Sequence, residues 1–149
     1  MHKIRDRNGN VVCLTADLNG VDFDSADLSN VDLSGKVLEG AIFSDANLSY
    51  VNLQGSDLYW ANFFRASLMG ANLRNACLCG ANLISANLVG ADLRHANLGL
   101  DNLGGATQLQ GADLTNCDVE GADFSGAVYD SSTRFPVGFN ATVQGMKLV

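Results

Sequence analysis

Large apolar residues recur in this chain at every fifth position. From Leu18 they run through Phe23, Leu28, Leu33, Leu38, Phe43, Leu48, Leu53, Leu58, Phe63, Leu68, Leu73, Leu78, Leu83, Leu88, Leu93 and Leu98 to Leu103, eighteen in register. Two residues before most of them stands a small residue, as at Ala46, Ala61, Ala81 and Ala96, and Asp or Asn usually lies between. Val21, Val31, Val51 and Ser56 bend the small-residue rule, and Lys36 and Asp101 break it. A period of five fits neither a helix nor a flat strand. It predicts a solenoid, because no single repeat can bury its Leu alone but stacked coils can. Four repeats would close a square coil, with coils stacking about 4.8 Å apart, the spacing of hydrogen-bonded strands. Phe23, Phe43 and Phe63 would then share one column.

After Leu103 the phase slips, and the large residues become Leu109, Leu114, Val119 and Phe124. The slip reads as one residue inserted near Gly104–Gln108, a bulge that Gly104 and Gly105 can accommodate. On that reading Phe124 rejoins the phenylalanine column.

The repeats Ala46-Asn47-Leu48-Ser49-Tyr50 and Ala81-Asn82-Leu83-Ile84-Ser85 have the form A-(D/N)-L-x-x. This pattern resembles the pentapeptide-repeat family over roughly residues 13–129. The resemblance implies an all-β fold, a right-handed quadrilateral β-helix of about five to six coils, with the large residue and the preceding small one facing inward. The stretch from Tyr129 to Phe139 is similar to an ending common in cyanobacterial members.

A solenoid exposes an apolar cross-section at each end, so its end units must differ from the repeat. Residues 1–14 are expected to form an N-terminal cap, with an Asn8-Gly9 turn between strand-like arms and Cys13 facing inward. Residues 15–129 are the β-helix, and 130–149 a C-terminal cap in which Phe135, Pro136, Phe139 and Met146 cover the last coil.

Composition narrows the function. Sixteen acidic residues against nine basic ones give a net charge of -7, which argues against direct nucleic-acid binding. Polar residues interrupt every apolar stretch, so no membrane-spanning helix is expected. The segment Met1-His2-Lys3-Ile4-Arg5-Asp6 has no signal-peptide character, and a cytoplasmic location with free thiols at Cys13, Cys77, Cys79 and Cys117 is expected. Charge is uneven along the rod. Residues 16–45 hold seven acids against Lys36, and residues 46–90 hold Asp57 against Arg65 and Arg74. Residues 91–130 are acidic again.

Chemistry is poorly supplied. His2 and His95 are the two histidines, no nucleophile triad or phosphate loop is present, and no cofactor, metal site or catalytic residue is predicted. A corner column of Asn75, His95 and Asn116 beside Cys77 and Cys79 has too few ligands for structural zinc. The informative positions are those just after each large residue. Early in the chain they are polar; in the middle they become Tyr59, Phe64, Met69, Ile84 and Val89, with Trp60 at a corner and Arg65, Arg74 and Arg94 as a rim. These nine are the candidate contact surface, since exposed apolar patches and Arg mark interfaces. The expected function is non-enzymatic binding of a protein partner, or closure of a homodimer. The alternative, implied by the resemblance, is an acidic DNA mimic that binds a topoisomerase such as DNA gyrase. The neutral middle of the rod, the absence of an amphipathic C-terminal helix pattern and the single inserted residue weigh against that alternative.

Overall fold

The computed structural model describes residues 1–6 and 8–149; Arg7 and the Val12 side chain, both within the predicted N-terminal cap, lie outside the described residues. Its body is a right-handed quadrilateral β-helix. Each side of each coil contributes one bridged residue, and that residue pairs in parallel with its counterpart one coil on. Asp22 pairs with Ile42, Ile42 with Asn62, and Asn62 with Asn82. Two backbone bonds hold each such rung: Phe63 N–H donates to Asn82 O at 2.7 Å, and Asn82 N–H to Ala61 O at 3.0 Å.

The repeat sequence explains the geometry. The large residue and the small one two before it point inward, and Leu33, Leu53, Leu73 and Leu93 are fully buried in one column. The Asp or Asn between them folds back on its own backbone, accepting from the N–H two residues on: Asp22 Oδ1 from Asp24 at 2.9 Å, Asn82 Oδ1 from Ile84 at 3.0 Å. Short carboxylates and amides are the side chains that make this turn. Amides also bond between coils, as Asn72 Nδ2 does to Asn52 Oδ1 at 3.1 Å. The corner that follows is left-handed, with Gly, Asn or Ser at most such positions. Phe23, Phe43 and Phe63 do stack, with ring centroids 5.4 and 5.0 Å apart.

The irregularity after Leu98 differs from expectation. Cys77 pairs with Asn97, 20 residues on, but Asn82 pairs with Gln108, 26 on. Six residues are therefore inserted, not one. They form a loop over 101–106 that leaves the coil, and Leu103 stands 81% exposed at it rather than facing inward. A period of five registers an insertion of six as a shift of one. Two further expectations fall with it. Phe124 follows Asp123, which pairs with Asn97, so it continues the Leu58, Leu78, Leu98 column instead of the phenylalanine column. The corner next to His95 in the following coil belongs to Gly121, as His95 N–H donates to Glu120 O. Asn116 follows Thr115, whose carbonyl bonds Gly90, and so lies in the neighbouring column.

At the start of the chain, strands β1 (His2–Arg5) and β2 (Val11–Thr15) form an antiparallel hairpin. Ile4 is buried in the core, and Cys13 packs partly buried against it. At the other end, β3 (Val128–Tyr129) pairs in parallel with β4 (Lys147–Leu148). Phe139 stacks on Phe135 at 4.8 Å and meets Phe124 edge-on at 5.1 Å. Phe135 also has a repeat position that its sequence context hides: Arg134 pairs with Asp113, which sets Phe135 in line with Leu114.

Candidate protein interface

The nine predicted contact residues fall on different sides of the rod. Phe64 and Ile84 stand one coil apart on the phenylalanine side, and Met69 and Val89 stand one coil apart on the next. Phe64 and Met69 are 36% and 37% exposed, while Ile84 and Val89 are half-buried. Together they make a convex apolar ridge around one edge of the rod. The same columns are polar toward the N-terminus, at Asp24, Ser44, Ser29 and Ser49, and toward the C-terminus, at Gln110 and Thr115.

The arginine rim is mostly engaged. Arg65 Nε lies 2.9 Å from Asp45 Oδ1, with its guanidinium 5.7 Å from the Phe64 ring centroid. Arg94 grips the Asp92 carboxylate with two bonds, at 2.9 and 2.6 Å, and reaches Asp118 at 3.3 Å. That pairing raises the Arg94 pKa and holds the Asp92 carboxyl below its ordinary value. Arg74, on the third side with Arg94, has no ion pair among the described residues, and its Nε is buried without a hydrogen-bond partner.

Tyr59 and Trp60 serve a different neighbour. Their rings touch, with centroids 4.8 Å apart, and both bind the 101–106 loop. Trp60 Nε1 donates to Asp101 Oδ2 at 2.7 Å, and Asn102 N–H donates to the Tyr59 hydroxyl at 2.7 Å. Asp101 Oδ1 accepts from Leu103 N–H and Gly105 N–H at 2.8 and 2.6 Å. The Trp60 bond, then these amides, lower the Asp101 pKa. Sequence reasoning missed this loop as a surface feature. Its signal was Asp101, a carboxylate in a slot that most repeats give to a small apolar residue.

Two of the four thiols, Cys79 and Cys117, are buried and poorly placed for chemistry. Burial pushes Cys79 up to about 12, helped by the neighbouring Cys77, and burial, helped by the Asp113 charge, pushes Cys117 up to about 12. Both stay protonated at neutral pH and are weak nucleophiles. No group of three or more His, Cys, Asp or Glu among the described residues could hold a metal ion. No helix among them is long and apolar enough to cross a membrane.

The pentapeptide-repeat family model matches the chain in eight copies, over residues 10–35, 26–63, 61–99 and 107–128. The chain belongs to the pentapeptide-repeat family. The gap between the last two matches coincides with the projecting loop. A pentapeptide repeat protein from Nostoc is 35% identical, with 76% of this chain and 85% of that one covered and a TM-score of 0.50. A trypsin-treated form of QnrB1, a plasmid-mediated fluoroquinolone resistance protein, is 22% identical over 86% of this chain and 77% of its own, with a TM-score of 0.62. That second likeness is one of fold. A comparison with curated protein sequences gives no match.

Proposed function

We propose that this pentapeptide-repeat protein is a non-enzymatic interaction module of the cytoplasm, a rigid rod that docks a partner protein on its apolar ridge. The observation that carries this reading is the Phe64, Ile84, Met69 and Val89 ridge, which replaces polar residues in the same columns and is partly open to solvent. A surface fixed by hydrogen-bonded coils loses little conformational entropy on docking. Arg65, stacked near Phe64, and Arg74 supply polar contacts at the edge of the ridge. The test is capture from a lysate of the source cells by the parent chain and by a Phe64→Asp/Ile84→Asp variant, read by mass spectrometry. A protein retained by the parent and lost with the variant is the expected result; equal capture by both rejects the ridge. If instead the ridge closes a homodimer, light scattering will show a dimeric parent and a monomeric Phe64→Asp variant.

The second reading, an acidic mimic of DNA that engages a topoisomerase, draws on the two acidic segments. Residues 16–45 hold seven acids against one base, as do residues 91–130. A six-residue loop in place of a single inserted residue removes one argument against it. The neutral middle still interrupts any continuous acidic stripe. Inhibition of gyrase supercoiling by the parent, undiminished in the Phe64→Asp/Ile84→Asp variant, would favour this reading over the ridge.

A further inference from the structure

The 101–106 loop is an ordered device built around an exposed aliphatic side chain. Asp101 organises it from within: its carboxylate accepts from Trp60 Nε1, Leu103 N–H and Gly105 N–H, and its own N–H donates to Gly105 O at 2.7 Å. Tyr59 pins Asn102 from two coils away in the stack. The left-handed Gly104 closes the turn. At the centre of this network Leu103 is 81% exposed, and Leu100 at the base of the loop is 45% exposed. Trp60, bonded to Asp101, is 44% exposed. Leu103 thus contributes little to the core, while the bonds of Asp101 and Tyr59 fix the backbone that presents it.

The side of the rod from which the loop projects is mainly acidic. The side of the rod that carries Tyr59 holds Asp17, Glu39, Asp57 and Asp123 and no Lys or Arg in its middle and outward positions. Lys36 takes the small-residue slot of this side in the second coil and acts on Asp32 of the neighbouring side, and the three central arginines lie on other sides. A partner surface that complements this face is apolar at its centre and cationic at its rim.

We propose that the loop is a second anchor for a protein partner, with Leu103 entering an apolar pocket rimmed by Lys or Arg on that partner. The proposal rests on the protein-binding reading but uses a different face from the Phe64–Val89 ridge, so the two can fail separately. A rigid loop presents its anchor at low entropic cost, and anchors of this kind carry a large share of binding energy.

The experiment places a benzophenone amino acid at position 103, and in a separate chain at position 54 as a remote control, and irradiates each in a lysate of the source cells. The protein joined at position 103 is then expressed and titrated against the parent chain, Leu103→Ser, and Phe64→Asp/Ile84→Asp by calorimetry. Leu103→Ser is expected to weaken binding by about tenfold or more, as loss of a buried aliphatic side chain requires. Its melting temperature should stay within about a degree of the parent, because an exposed side chain is replaced. Raising the salt should weaken binding by the parent chain. Overturning results are no crosslink at position 103, equal crosslinking at 54, an affinity of Leu103→Ser within twofold of the parent, or a crosslink between two copies of this chain. Loss of binding in Phe64→Asp/Ile84→Asp alone would retain the ridge and dismiss the loop anchor.

Discussion

Thr107 occupies an inward slot that most repeats give to alanine, and it is fully buried. Its hydroxyl accepts from Gly80 N–H at 3.1 Å and lies 2.9 Å from Leu78 O and 3.1 Å from Gly99 O, either of which can take its proton. Gly80 N–H and Gly99 O would pair in a regular coil and lose each other where the loop leaves it, while Leu78 O keeps its bond from Ala81 N–H. Thr107→Val keeps the shape and strands the Gly80 N–H, at a cost of about 1–3 kcal/mol. Thermal melting should show a drop of several degrees for Thr107→Val and a smaller one for Thr107→Ser; equal losses would mean that shape, not the hydroxyl, matters. Gly80 illustrates a second residue-scale rule. Its φ is +69°, and a Cβ there would stand 2.6 Å from Trp60 Cδ1. At Gly55, also left-handed, a Cβ would meet nothing within 4 Å. Gly55→Ala should cost about 1–2 kcal/mol for the backbone alone. Gly80→Ala should cost more and shift the fluorescence of the single tryptophan to the red, because the ring must leave its place over the corner. An unshifted spectrum would contradict the close packing of Trp60 on Gly80.

At the scale of the element, periodicity reveals the coil and conceals the loop. Each A-(D/N)-L-x-x unit specifies an inward pair, a self-bonded polar residue and a corner, so the four-sided coil and its phenylalanine column were legible from spacing alone. Spacing reports an insertion only as its remainder on division by five. Six residues therefore look like one, and Leu103, in phase by coincidence, reads as core. The same coincidence misassigned Phe124 and Asn116 to neighbouring columns. The ridge residues were legible because columns could be stacked through coils three and four, which precede the insertion. The binding of Tyr59 and Trp60 to the loop was not, since it depends on a chain excursion that no repeat encodes. The structure predicts that the loop is dispensable for folding. Removal of 101–106 joins residue 100 to Thr107 and restores five-residue spacing between Leu98 and Leu109. With Leu100→Gly, to suit the left-handed corner found in the other coils, that variant should keep the β-type circular dichroism of the parent. Its tryptophan emission should move to the red, since Asp101 no longer holds the indole. An unfolded product would mean that the loop is part of the stack rather than an addition to it.

Across the whole molecule, the side-chain turn of the repeat ties stability to the ionisation of five aspartates. The pKa of Asp32, Asp92, Asp113, Asp123 and Asp130 is lowered, in each case first by the side chain two residues on: Ser34, Arg94, Thr115, Ser125 and Ser132. Asp130 falls furthest, to about 2, and also accepts from the Gly111 N–H at 3.0 Å. A folded-state pKa below the unfolded value stabilises the fold above the unfolded pKa, and that stabilisation is lost as pH falls through the folded value. The window is therefore acid, from about pH 4 down to about 2. An opposing effect acts over the same range. The chain carries a net charge of -7, and protonating carboxylates relieves their mutual repulsion. Repulsion between exposed charges is screened beyond about 8 Å at physiological salt, whereas the turn bonds act at contact. The contact bonds should win at that ionic strength, and because each coil rests on its neighbours their loss should be felt along the stack. Melting temperature followed in 0.15 M salt should stay level from neutral pH to about 5 and fall steeply below 4. Asp130→Asn, which is uncharged at every pH, should start lower and lose less between pH 4 and 2. A melting temperature that rises on acidification would show that repulsion among the acidic coils outweighs the turns that build them.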